Sequence, residues 1–233
     1  IFNKFLPIHA HGIPVEMDEI HLFNAEKAAE DGSKVPLVLF LHGAGERGTN
    51  NQAQLVHGVG DLVLWMDQHE KGYRLIAGQV PFGKRWVEVN WGAKSHAMPE
   101  NPSETMALLL EMLDVQLADP AIDLKRIYVT GISMGGFGTW YTAMAYPDLF
   151  AAIAPCCGGG MAWNAHVLTM PVWAFHGAED TSVSVFHSDD MVERMRKSDL
   201  DVRYSRFDGV GHDVWKKTYD EELLNWLLSH KRN

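Results

Sequence analysis

The chain of 233 residues is short of cysteine, of long apolar runs and of basic charge, and each shortage removes a class of protein. Its two cysteines, Cys156 and Cys157, are neighbours. They cannot form a disulfide framework, and no C-x-x-C spacing offers a structural zinc site. Lys and Arg number 20 against 30 Asp and Glu, a net charge of −10. That sign repels phosphate backbones and anionic lipid, so neither nucleic acid nor a membrane surface is an expected partner. Charge of either sign is scarcest between residues 127 and 178, where Asp148 is the only Asp, Glu, Lys or Arg. Glycines and prolines from Gly131 to Pro171 interrupt this stretch well short of the ~20 apolar residues that span a bilayer. It must therefore be buried inside a globular protein. No basic segment followed by an apolar core opens the chain, so no signal peptide is visible and a cytoplasmic location is favoured. The first residue is Ile1 rather than Met, which leaves export open.

What the chain does have is 46% hydrophobic residues, enough for a core without staples. Runs rich in Val, Ile, Leu and aromatics occupy 37–41, 73–77, 126–130, 151–155, 172–175 and 202–207. Most are continuously apolar, as strands covered on both faces of a parallel sheet are. Between them 103–117, 137–145, 186–196 and 219–228 carry helical spacing, with Ser103 and Glu104 as a start signal. Alternating strands and helices imply an α/β class, a doubly wound and mostly parallel sheet. Without a linker, repeat or composition break, residues 1–233 read as one domain. Residues 1–34 are its least assignable part, with 21–24 a candidate antiparallel leading strand.

Gly131-Ile132-Ser133-Met134-Gly135 follows a strand and precedes a helix, which is the setting a G-x-S-x-G turn requires. A serine at so sharp an apex is strained, and glycines two residues away avoid collision. Its hydroxyl then sits above a helix N-terminus, where negative charge is favoured. Serine needs a base, and the base needs a partner that fixes its tautomer. With 12 histidines present, only position can choose. The order Ser, acid, His on successive strand exits selects Asp180 after 172–175 and His212 after 202–207. His176 is read as a structural residue at a strand end.

Acyl transfer also needs donors aimed at the oxyanion. The expected pair is the N–H of Met134 and that of Ala44, with Gly45 as the substitute, in the loop His42-Gly43-Ala44-Gly45-Glu46-Arg47-Gly48. That loop matches neither phosphate-binding glycine motif. Glu46 and Arg47 are expected to pair with each other and hold it, with contact to substrate as the alternative. Trp86, Trp91, Trp163 and Trp215 lie in or beside loops, and Trp163 is the preferred pocket residue. His9-Ala10-His11 offers too few ligands for a metal site, so no metal is expected.

The wording L-H-G-A-G-E-R-G at 41–48, then R-I-Y-V-T-G-I-S-M-G-G-F-G-T-W at 126–140, together with His176 to Asp180 and Gly209 to His212, resembles the α/β-hydrolase superfamily. More narrowly it resembles bacterial phospholipase/carboxylesterase-like esterases, a group also labelled predicted peptidases and related to feruloyl and polyhydroxybutyrate-depolymerase-type esterases. The resemblance runs from about residue 35 to 228 and fails before it. It implies a triad of Ser133, Asp180 and His212, the oxyanion donors Ala44 and Met134, and cofactor-free hydrolysis of carboxylic esters. The sequence shows no lid insertion and is too short for a large lid domain, so an open site for small soluble esters is expected, and the loop tryptophans suit an aryl or sugar group. A serine peptidase of the prolyl-oligopeptidase type and a non-catalytic ligand-binding hydrolase fold are the competing expectations.

Overall fold

The computed structural model describes residues 21–233. The histidine pair at 9–11 and the unalignable residues 1–20 lie outside them. A seven-stranded sheet has the order β1-β3-β2-β4-β5-β6-β7. Its strands are β1 (His21–Lys27), β2 (Val35–Leu41), β3 (Tyr73–Gln79), β4 (Ile122–Ile132), β5 (Ala152–Cys156), β6 (Val172–Gly177) and β7 (Val202–Phe207). Only β1 runs antiparallel, against β3; the remaining pairs are parallel. The expected leading strand is present and reaches Lys27, further than the sequence indicates.

Five helices follow the strands: α1 (Val59–His69), α2 (Glu104–Leu117), α3 (Met134–Ala145), α4 (Phe186–Lys197) and α5 (Glu221–Ser229). Side-chain alternation along β2 explains its unbroken apolar run. Leu37, Leu39 and Leu41 face one core layer with Met106, Phe137, Trp140 and Met191 of α2, α3 and α4. Val38 and Phe40 face the other, with Leu62, Met66, Leu223 and Leu227 of α1 and α5. Each such buried side chain contributes about 1.5–3 kcal/mol, and the polar residues buried with them, such as Thr130 and Thr139, are hydrogen-bonded. α2 starts as expected, Ser103 Oγ accepting the N–H of Met106.

α1 is the element that the sequence pattern does not announce. Its run Leu62-Val63-Leu64-Trp65-Met66 is continuously apolar rather than helically spaced, and only Val59, Leu62 and Met66 are buried. The helix is set by Gly58 at φ +80°, where a Cβ would lie 2.6 Å from the Tyr219 ring.

The sheet order reverses direction between β2 and β4. Their carboxyl ends are neighbours, with Leu41 opposite Gly131. In an open α/β sheet that switch point is where loops diverge and leave a crevice.

Candidate active site

Ser133 stands at the apex between β4 and α3 with φ 52° and ψ −114°, a left-handed backbone that costs a non-glycine residue of order 1–3 kcal/mol. The surroundings enforce it. A Cβ on Gly131 would lie 2.6 Å from the carbonyl oxygens of Gly135 and Leu41, and one on Gly135 only 1.8 Å from that of Leu41. Ser133 N–H is occupied by the carbonyl of Cys156 at 2.9 Å, so it is not free to serve an oxyanion. Met134 begins α3 and has no carbonyl four residues back inside the helix to bond, which leaves its N–H pointing out of the helix end.

Asp180 and His212 are brought to Ser133 by two pinned loops. Ala178 N–H donates to the carbonyl of Phe207 at 2.9 Å and Glu179 N–H to that of Val210 at 3.0 Å. Gly209 turns the second loop at φ +71°. His212 Nε2 is 2.9 Å from Ser133 Oγ and its Nδ1 2.7 Å from Asp180 Oδ2. A carboxylate only accepts, so Nδ1–H donates to it and Nε2 is left to accept the serine proton.

Asp180 Oδ1 accepts the N–H groups of Ser182 and Val183 at 2.8 and 2.9 Å. Its other oxygen lies 3.3 Å from His176 Nε2, a fully buried ring. Burial alone would raise the carboxyl pKa. Hydrogen bonds from His176, His212 and Val183 overcome that and hold it well below the usual carboxylate range. His176 does end its strand as expected, and it also braces the acid. Its Nε2 faces the carbonyl of Val183 at 3.0 Å as well, so it carries the proton, while Nδ1 meets Ser188 Oγ at 2.7 Å.

Cys157, buried beside this group, has a potential ligand atom that lies with those of Asp180 and His212 within 4.8 Å of one another. Two of the three are already bonded to each other, and burial raises the thiol pKa well above its ordinary value. The grouping is a hydrogen-bonded relay beside a buried thiol.

After β2 the chain forms a short 3-10 turn, Ala44–Glu46. Gly43 brings it close: a Cβ there would sit 3.5 Å from Ser133 Cβ. The buried His42 clamps this turn, a role the sequence reading did not give it. Val80 N–H donates to its Nε2 at 2.9 Å, so Nδ1–H donates to the carbonyl of Gly43 at 2.6 Å. Burial pushes its pKa down to about 4.

One expectation needs correction. Glu46 and Arg47 do not pair: Glu46 Oε1 is 3.8 Å from His57 Nε2, while the Arg47 guanidinium lies 5.9 Å from the Trp91 ring centroid. Glu46 ends the 3-10 turn and Arg47 leaves it with ψ 146°, which turns the two side chains apart. Trp163 is 60% exposed on the turn Ala162–Val167. It makes no ring contact among the described residues, whereas Trp215 stands edge-on to His212 at 5.4 Å. Trp86 is wholly buried, donating to the carbonyl of His42.

A mostly parallel sheet with a serine turn after β4, an acid after β6 and a histidine after β7 defines an α/β-hydrolase. The chain belongs to the phospholipase/carboxylesterase family, whose model matches residues 24–222. A poly(3-hydroxyalkanoate) depolymerase C of Paucimonas lemoignei is 49% identical over 49 residues, 21% of this chain and 12% of that one. An acyl-protein thioesterase 1 of Eremothecium gossypii is 27% identical over 150 residues, covering 59% of this chain and 62% of its own. The chain thus spans less than two thirds of these curated relatives. The crystal structure of a thermostable esterase superposes with a TM-score of 0.79 at 30% identity, covering 93% of this chain and 64% of that one. Among the described residues no helix is long and apolar enough to cross a membrane.

Proposed function

We propose that the protein is a serine carboxylesterase that hydrolyses small, soluble carboxylic esters, aryl and sugar esters among them, through an acyl-enzyme on Ser133. The observation that carries this reading is the continuous relay from Ser133 Oγ to His212 to Asp180, at 2.9 and 2.7 Å. His212 Nε2 takes the hydroxyl proton as Ser133 Oγ adds to the ester carbonyl, and the tetrahedral oxyanion rests on the N–H groups of Ala44 and Met134. Asp180 stabilises the imidazolium without taking its proton. Collapse expels the alcohol, which leaves with the proton from His212. A water then repeats the sequence on the acyl-enzyme and releases the acid. The names of the depolymerase, thioesterase and esterase that resemble this chain agree with acyl transfer.

A fluorophosphonate probe and a panel of p-nitrophenyl acetate to octanoate, methyl ferulate and a peptide amide test the proposal. Labelling and ester turnover are expected in the wild type, with turnover reduced at least ~10⁴-fold in Ser133→Ala. Undiminished turnover in that variant would refute the assignment. Amide cleavage matching ester cleavage would favour a peptidase, and failure to label a binding protein.

A further inference from the structure

Phe137 lies one turn along α3 from Ser133, and three rings pack against it: Trp91 at 6.4 Å, His96 at 5.6 Å and His187 at 5.4 Å between centroids. Above Trp91 stand two guanidinium groups, Arg85 at 4.4 Å and Arg47 at 5.9 Å from the ring centroid. Arg47 comes from the same loop as Ala44, so this cluster adjoins the proposed oxyanion donors.

Its polar atoms are incomplete. Arg47 Nε, Trp91 Nε1 and both ring nitrogens of His96 are buried without a hydrogen-bond partner. Buried polar groups in folded proteins are nearly always bonded, and several orphans in one place call for an explanation. His187 is the contrast, its Nε2–H donating to the carbonyl of Trp91 at 3.0 Å. Burial and the neighbouring His187 lower the pKa of His96, so its neutral ring offers one N–H. Burial first, then the charge of Arg85, lowers that of Arg47, with Glu88 opposing. The free groups are therefore mainly donors, and two like charges share one indole in a protein whose net charge is −10. What would satisfy all of them is an acceptor that brings negative charge, and a planar carboxylate suits guanidinium geometry.

We propose that Arg47, Arg85, Trp91 and His96 form an anion-accepting subsite, so that the preferred ester carries a carboxylate besides its scissile group. The proposal rests on the esterase reading above. Arg47 and Arg85 hold the carboxylate, and Trp91 and His96 donate to it.

The test compares kcat/KM for monoethyl glutarate with that for ethyl valerate, which differ by a carboxylate in place of a methyl group. A second pair, acetoxyacetate and ethyl acetate, puts the charge on the alcohol side. We expect at least a tenfold preference for the charged member of one pair at low ionic strength, shrinking as salt screens it. In Arg47→Gln and Arg85→Gln that ratio should fall about tenfold or more, whatever the absolute rates. Calorimetric titration with glutarate reads the subsite without turnover, with binding expected in the wild type and weakened in both variants. No charge preference in either pair, or ratios within twofold of wild type in both variants, would overturn the subsite while leaving the esterase intact. Loss of all ester turnover and of fluorophosphonate labelling would overturn the esterase reading instead, and absence of glutarate binding would then overturn the subsite as well.

Discussion

On the β6–β7 side of the crevice both oxygens of Asp180 and both ring nitrogens of His176 and His212 have partners. On the β2–β3 side Arg47, Trp91 and His96 keep buried nitrogens with none. The two sides share the same sheet and differ in purpose. A relay must be held in one geometry before substrate arrives, so its hydrogen bonds close on one another. A wall that receives substrate leaves its donors for the ligand.

Four experiments sharpen or break this contrast. The largest effect belongs to Asp180→Asn. An amide can present its NH₂ to His212 and leave the imidazole in the wrong tautomer, so kcat should fall roughly 10³–10⁴-fold with the fold intact. Turnover kinetics with circular dichroism measure it, and a fall under tenfold would disconnect Asp180 from the relay.

The next concerns the clamp on the β2 loop. His42 is neutral in the folded state with a pKa of about 4, against an ordinary 6.5. The unfolded chain therefore binds more protons between those values, and stability falls as pH drops from about 6.5 to about 4. The loss should approach roughly 3 kcal/mol. Denaturant unfolding across that range should show a steeper slope in the wild type than in His42→Gln, where the buried His96 and His187 leave a remainder.

A smaller effect is expected at His176. His176→Phe removes a donor from Asp180, which then holds the His212 proton more tightly. kcat should drop about tenfold and the acid limb of the kcat/KM profile should move to higher pH, with His176→Gln restoring part of both. An unmoved limb would make His176 a packing residue only. Least of all, Trp163→Ala should change kcat/KM by under about twofold, while Trp215→Ala, at the edge of His212, costs several-fold.

Much of this architecture is written locally. The strands of the parallel sheet are legible because burial on both faces demands continuous apolar runs, as in β2. Ser133 is legible because its backbone strain requires glycines at 131 and 135. Helix α1 is less legible because its apolar run 62–66 lacks helical spacing and only Val59, Leu62 and Met66 form its buried stripe. The stripe becomes convincing only once Tyr219 is known to press on Gly58. Glu46 and Arg47 were misjudged for a related reason. Opposite charges adjacent in sequence suggest a pair, but the chain leaves the 3-10 turn between them and directs one towards His57 and the other towards Trp91.

By itself the sequence determined the class of fold, the strained serine and the chain order of the acid and histidine after it. Those depend on backbone conformation and on apolar periodicity, which are properties of short segments. Tertiary structure decided which of the histidines matter and how. His42, His96 and His176 look alike in the sequence, yet one clamps a loop, one is left with both nitrogens unpaired and one braces Asp180. Their roles depend on partners 38 or more residues away for His42 and His96, and on the folding back of a loop for His176. A hydrogen bond is a matter of distance and angle between atoms that the chain brings together only when it folds.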